Sequence, residues 1–243
     1  MSNLLTVDGV TKVFGGVHAV DSCSLEVTEG TITALIGPNG SGKTTLFNIV
    51  TGYLRADQGR VVFAGKDVTG KDPGLLYRTG LSRTFQQARV FPQLSVQENL
   101  VVAAGYGWSQ LFTRRVGRAD RERAEQLLEE FRLAPVADLL AAELSYGQRK
   151  LLEFAAVLMS SPRLVLLDEP TAGVNPVMIE TMEKHIRSRN DAGITFLIVE
   201  HDMTFVMRLC DPVIVLDRGK RIFSGAPTDV QNNPLVLDAY LGG

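Results

Sequence analysis

Cysteine is scarce in this chain, and the two present, Cys23 and Cys210, stand far apart. That spacing argues against a disulfide framework and predicts two reduced structural thiols. Long apolar runs are missing as well. None approaches the roughly 18 residues that a bilayer-crossing helix needs, so the chain itself is not expected to span a membrane. The opening MSNLLTVDGV lacks a basic region followed by an apolar stretch, and no signal peptide is expected. Neither sign of charge is in excess: 25 Lys and Arg face 27 Asp and Glu, a formal net charge of −2. A protein that coats nucleic acid needs a basic surplus, so nucleic acid is not an expected partner. Repeats and low-complexity linkers are also absent. What is present, 243 residues with 45% hydrophobic content, suffices for one large domain or two small ones with a proper core.

Strand and helix signals alternate. LLTVDGV and SCSLEV switch between apolar and polar residues, with Gly15 and Gly16 marking a turn between them. TITALI is almost continuously apolar, as expected of a strand covered on both faces. A helix is expected over about residues 43–50, closing near Gly52, and GRVVFAG reads as another strand. Between about 88 and 158 the strand signals fade. There Ala124, Leu127, Leu128 and Phe131 recur at helical spacing. The basic residues Arg114, Arg115, Arg118, Arg121 and Arg123 read as a solvated helix face, with lipid head groups or a partner as the alternative. Tyr106 and Trp108 serve either a partner or the core.

The strand pattern resumes in RLVLLD, ITFLIVE and PVIVLD. Asn175 and Pro176 open a helix running to about Asn190, with Gly193 just beyond it. DRGK turns into RIFSG, and Thr228 with Gln231 fits a capping box for a short terminal helix. The expectation is an α/β sheet protein with a helical insertion.

The stretch GPNGSGKT, residues 37–44, fits G-x-x-x-x-G-K-[ST] through Gly37, Gly42, Lys43 and Thr44. It follows an apolar strand and opens a helix, as a phosphate-binding loop must. Glycines let the backbone wrap so that successive N–H groups point at phosphate oxygens. The helix N-terminus adds a positive dipole end. Lys43 then reaches the β- and γ-phosphates, and the Thr44 hydroxyl ligates Mg²⁺. An ordinary glycine-rich turn is the bland alternative. In LVLLDEP an apolar strand ends in Asp168 and Glu169. Side chains alternate along a strand, so the two carboxylates have different jobs. One holds the water shell of Mg²⁺ while the other faces an attacking water.

With LSYGQRK at residues 144–150, these motifs resemble the ATP-binding cassette ATPases over essentially the whole chain. The resemblance implies a P-loop NTPase (RecA-like) α/β core, an N-terminal antiparallel β subdomain and an inserted helical subdomain. It divides one cassette domain into a core over about 1–87 and 159–243 and a helical part over about 88–158. It implies ATP held by Phe14, Gly37, Pro38, Asn39, Gly40, Ser41, Gly42, Lys43, Thr44 and Thr45, with Phe14 stacked on the adenine. It implies Mg²⁺ held by Thr44, Gln86 and Asp168, and catalysis by Glu169 with the switch histidine His201. Ser145, Tyr146, Gly147 and Gln148 match the signature that closes on a second subunit's nucleotide. Tyr146 departs from the commonest glycine there, and Asn175 from the aspartate many relatives carry in AGVNP.

RTFQ, LSYGQ, AGVNP, VEHDM and the ending NNPLVLDAYLGG further resemble ATPase subunits of branched-chain amino acid importers, the larger of their two paralogues. That implies a second cassette subunit, two transmembrane permease subunits and, indirectly, an extracytoplasmic solute-binding protein, at the cytoplasmic face of the cell membrane. Urea or amide uptake, lipopolysaccharide export and soluble non-transport cassette ATPases are the alternatives. A P-loop kinase or GTPase switch is disfavoured by LSYGQ and the ordered histidine.

Overall fold

The computed structural model describes residues 2–84, 90–105 and 117–241. Gln86, Tyr106, Trp108, Arg114 and Arg115 lie outside the described residues. The chain opens with β1 (Asn3–Phe14) and β2 (Val17–Thr28), an antiparallel pair joined through Gly15 and Gly16, both at positive φ. β3 (Ile32–Ile36) leads into α1 (Lys43–Val50), then β4 (Gln58–Phe63), β5 (Lys66–Asp67), α2 (Pro73–Arg78) and β6 (Leu81–Arg83). Between β6 and the next strand come α3 (Val96–Ala103), α4 (Arg118–Glu130) and α5 (Tyr146–Leu158), the expected helical insertion. β7 (Leu164–Asp168), α6 (Pro176–Asp191), β8 (Thr195–Val199), α7 (Met203–Leu209), β9 (Val213–Asp217), β10 (Lys220–Gly225), α8 (Pro227–Gln231) and α9 (Pro234–Leu241) complete it.

Two sheets result. The smaller is antiparallel in the order β2-β1-β4-β5, and the larger runs β10-β9-β3-β8-β7-β6. In the larger sheet every pair is parallel except β10 with β9. Its strands are apolar on both faces because both faces are covered. Ala34, Ile36, Val165, Leu167, Phe196, Ile198, Val213 and Val215 face the cluster built with α3 to α7. Their neighbours Leu35, Leu164, Leu166, Leu197, Val199, Ile214 and Leu216 face the cluster shared with α1 and the smaller sheet. The period of two along a strand is therefore expressed as a choice between two cores.

Local signals hold in detail. Asn175 caps α6, its Oδ1 accepting the Met178 N–H at 2.9 Å, with Pro176 in the first turn. Arg218 and Gly219 make a two-residue hairpin turn, both at positive φ, between β9 and β10. Cys23 and Cys210 are free and buried, and desolvation pushes their thiols up to about 11 and about 12.

Two expectations are corrected. Thr228 does not cap α8: Ala226 holds that position without a side-chain hydrogen bond, and Pro227 begins the helix. Proline at the first helical position displaces the cap by two residues. Arg123 does not belong to a solvated face. Its guanidinium turns toward the end of α5, donating to the Leu158 carbonyl at 3.5 Å, and its Nε is buried without a hydrogen-bond partner. Arg118 does lie in solvent, paired with Glu122 one turn on at 2.7 Å.

Phe154 of α5 joins the insertion to the sheet. Its ring meets Phe131 edge-on at 5.4 Å and Phe196 of β8 at 6.3 Å. All three rings are fully buried. Phe154→Ala is expected to lower the unfolding free energy by about 3–5 kcal/mol, read from the urea midpoint at unchanged slope. A loss below about 1 kcal/mol would show that the insertion is held elsewhere.

Candidate nucleotide-binding site

β3, β8 and β7 are consecutive neighbours in the larger sheet and run parallel. Their C-terminal ends therefore open on one edge, the usual place for ligands in open α/β sheets. From β3 comes the loop of residues 37–42, from β7 the pair Asp168 and Glu169, and from just beyond β8 Glu200 and His201.

The loop owes its shape to two glycines and a lysine. A Cβ on Gly37 would lie 2.1 Å from the Leu216 carbonyl oxygen, and one on Gly42 would lie 2.3 Å from that of Ala19. Both glycines also sit at positive φ. Gly42 begins α1 and offers no side chain to its first-turn N–H groups. Those donors, with the positive helix end, fit an oxyanion. Lys43 is 5% exposed. Its Nζ donates to Gly37 O at 2.8 Å, Pro38 O at 2.9 Å and Ser41 Oγ at 3.3 Å. Desolvation lowers its pKa, opposed by the negative charges of Glu169 and Asp168. Thr44 is exposed and Thr45 half-buried at the mouth of the loop, beside exposed Asn39 and Gly40.

Asp168 is buried at the end of β7. Its Oδ2 accepts from Arg83 Nη2 at 2.6 Å, and its backbone N–H donates to Thr84 Oγ1 at 3.2 Å. Glu169 then leaves the strand at φ +49, a left-handed turn uncommon for this residue type. Its N–H donates to Val199 O at 2.9 Å, tying the turn to β8. Its Oε1 lies 2.9 Å from His201 Nε2. Buried Glu200 organises the same corner. Its Oε1 accepts from the N–H and hydroxyl of Thr171, and its Oε2 from the N–H of His201.

Phe14 ends β1 with 49% of its surface exposed, not packed as core, and Lys12 Nζ lies 5.5 Å from its ring centroid. The signature residues stand at the start of α5. Ser145 Oγ accepts the Gln148 N–H at 3.3 Å while Gln148 Oε1 accepts the Ser145 N–H at 3.0 Å. That reciprocal pair is a capping box. Tyr146 donates to Ala172 O at 3.3 Å, and a Cβ on Gly147 would meet Met178 at 2.9 Å.

Sequence reasoning missed Arg83, Thr84, Lys150 and Glu200, all of them tertiary partners of the motif residues. Lys150 is buried, donates to Glu169 O at 3.4 Å and sits 6.0 Å from the Tyr146 ring centroid. The C-terminal helix is a further addition. A cavity of about 590 Å³ lies between the loop at Pro38 to Ser41, the turn at Asp217 and Arg218, and Leu235, Asp238 and Ala239 of α9.

Among the described residues no three His, Cys, Asp or Glu groups converge on a metal-sized site. Mg²⁺ keeps an octahedral shell of waters and phosphate oxygens around one or two protein ligands. The Thr44 hydroxyl and Asp168 carboxylate fit an ion of that kind, one that arrives with a nucleotide.

The chain matches the family described as ABC transporter over residues 20–172, and the one described as branched-chain amino acid ATP-binding cassette transporter over residues 220–243. It is similar to the probable branched-chain amino acid transport ATP-binding protein LivG of Archaeoglobus fulgidus, 41% identical over 98% of this chain and 95% of that protein. The high-affinity branched-chain amino acid transport ATP-binding protein BraF of Pseudomonas aeruginosa is 38% identical over 98% of each chain. Among solved structures, a nucleotide-free ATP-binding cassette from an ABC transporter superposes with a TM-score of 0.90 at 36% identity, over 100% of both chains. A dimeric ATP-binding cassette in a post-hydrolysis state, bound to ADP and Pi, superposes with a TM-score of 0.78 at 25% identity, over 92% of this chain and 98% of that one. Sequence match, fold and the geometry of loop and carboxylates agree: the chain belongs to the ABC transporter family, as one of its ATP-binding cassette ATPases.

Proposed function

We propose that this chain hydrolyses ATP to drive a membrane importer of branched-chain amino acids or related polar solutes. The observation that carries the catalytic part is the meeting of three strand ends, where Glu169 Oε1 lies 2.9 Å from His201 Nε2 beside the Lys43 loop. The solute class rests on the relatives, which are branched-chain amino acid transport proteins.

The phosphates lie along the loop of residues 37–45, against the backbone N–H groups that every residue there except Pro38 offers, with Lys43 at the β- and γ-phosphates. Thr44, Asp168 and Gln86 would hold Mg²⁺, and the ion would supply positive charge to balance the phosphate oxygens during transfer to water. Glu169 polarises the attacking water, and His201, already held by Glu169, contacts the γ-phosphate. Phe14 stacks on the adenine. Ser145, Tyr146, Gly147 and Gln148 act in trans on the nucleotide of a second cassette subunit, in keeping with the dimeric relative. The helical part, over about 88–158, passes closure and opening to two transmembrane permease subunits at the cytoplasmic face of the membrane. A solute-binding protein delivers cargo from the other side. No helix among the described residues is long and apolar enough to cross a membrane. On this reading the permeation path lies in the permease subunits.

Phe14→Ala is expected to weaken ATP binding by about 1–3 kcal/mol, and GTP binding by a similar amount, because stacking reads any base face. Fluorescent-nucleotide titration measures both. Unchanged affinity would place the base on another residue.

Glu169→Gln keeps the size and loses the charge that polarises water. Hydrolysis is expected to fall by about 10²–10⁴ while ATP binding persists. With less negative charge beside the γ-phosphate, the ATP-closed dimer accumulates in size-exclusion chromatography with ATP and Mg²⁺, where the wild type runs as a monomer. Wild-type turnover in this variant would remove Glu169 from catalysis. An inactive monomer would leave its catalytic role standing and point to a paralogous partner.

A further inference from the structure

RTFQ is informative for its arginine as well as for its glutamine. Arg83 and Asp168 form an ion pair at 2.6 Å whose side chains are 6% and 5% exposed. The rest of the guanidinium is engaged in three further directions. Nη1 donates to Asn48 Oδ1 at 2.6 Å and to Thr51 Oγ1 at 3.3 Å, and Nε to Thr84 O at 3.1 Å. Its carbon lies 5.6 Å from the centroid of the Phe47 ring. Asn48 and Phe47 belong to α1, the helix that the phosphate-binding loop opens, and Thr51 caps its far end. One side chain thus links α1, the end of β6 and the carboxylate at the end of β7. Only a planar fork with several donors makes these contacts together; an ammonium has one donor centre.

A buried carboxylate without a partner is costly, and removing one member of a buried pair leaves that cost uncompensated. We propose that Arg83 is the resident counter-cation of Asp168, a positioning residue that neutralises and aims this carboxylate before Mg²⁺ arrives with the nucleotide. The inference rests on the reading of Asp168 as a Mg²⁺ ligand. Its consequence is specific. With Arg83 present, the incoming ion meets a carboxylate whose charge is already balanced. With Arg83 removed, the carboxylate loses its hydrogen-bonded counter-cation and keeps only the more distant positive charges of Lys43 and Lys150 until the ion arrives. Mg²⁺ is then held more tightly and stabilises the fold by more.

The test is thermal melting of the full chain in EDTA, and in Mg²⁺ with the non-hydrolysable analogue AMP-PNP. The proteins are the wild type, Arg83→Met, Arg83→Lys, Asp168→Asn and the double variant Arg83→Met with Asp168→Asn. In EDTA, Arg83→Met is expected to lower Tm by about 10 °C. The double variant is expected to lose less than the sum of the singles. Adding Mg²⁺ and AMP-PNP should raise Tm more in Arg83→Met than in the wild type. The Mg²⁺ concentration at half the shift should fall severalfold. Arg83→Lys retains the charge and should retain the wild-type Mg²⁺ response even where it loses stability, so a poorly folding Met variant does not decide the outcome. Additive singles, or equal Mg²⁺ increments in wild type and Arg83→Met, would overturn the proposal and leave a packing role. A Lys variant that responds to Mg²⁺ as Met should would overturn it too. A wild type indifferent to AMP-PNP with Mg²⁺ would overturn the nucleotide reading itself, and this inference with it.

Discussion

Lys43 donates to the carbonyls of Gly37 and Pro38 and to the Ser41 hydroxyl, and the loop that receives a phosphate takes its form around that amine. Inward carbonyls repel an anion, so a buried cation must lie against them before any anion can be accepted. Desolvation works against the charge on Lys43, while Asp168 and Glu169 work for it. The carboxylates that serve the site therefore also help keep its lysine charged. Gly37 and Gly42 complete the constraint, because a side chain at either position would run into a neighbouring backbone carbonyl. Sequence freedom is lost here for reasons of space and charge together.

Strand order does the remaining placement. β8 lies between β3 and β7, so the residues just past β8 must fall between the loop and the carboxylates. His201 occupies that place and finds Glu169. Glu200, one residue earlier, is buried, and its two oxygens bind the backbone of Thr171 on one side and of His201 on the other. The ends of β7 and β8 are thus latched together by backbone-directed hydrogen bonds, Thr171 N–H to Glu200 Oε1 and Glu169 N–H to Val199 O. Such latches fix the turn at Glu169 in a conformation that local preference does not favour.

These particulars separate what was legible in the sequence from what was not. The loop, the apolar strands and the Asn175 cap were readable because each depends on residues within a few positions of one another. The double alternation of Leu35 with Ala34 and Ile36 was hidden in a continuous apolar run, since both faces carry the same kind of residue. Arg83 and Glu200 were invisible as site residues. Each takes its meaning from partners distant in sequence, Asp168 for one and Thr171 for the other. Arg123 was misread because a charged helix face predicts solvent until a second helix end is brought alongside. Thr228 was misread because Pro227 takes the start of α8 for itself.

Tyr146 occupies a position where glycine is commonest in the resemblance, and the fold supplies a reason for the larger side chain. Its hydroxyl reaches Ala172 O, and its ring covers Gly173, where a Cβ would come within 3.2 Å. Lys150, one helical turn further, reaches Glu169 O. The start of α5 is therefore fastened to both ends of the short segment that runs from Glu169 to Gly173. The next residues pass into α6, whose Met178 packs on Gly147 while Asn175 caps the helix. On the proposed reading, α5 presents its start to the nucleotide of the second subunit, while Glu169 serves the nucleotide of its own. Fastening the two together means that a shift imposed on one by phosphate reaches the other through covalent geometry and two side chains. A glycine at position 146 would remove the hydroxyl and ring from this fastening and leave it leaning on the Lys150 bond to Glu169 O, at 3.4 Å a weak one.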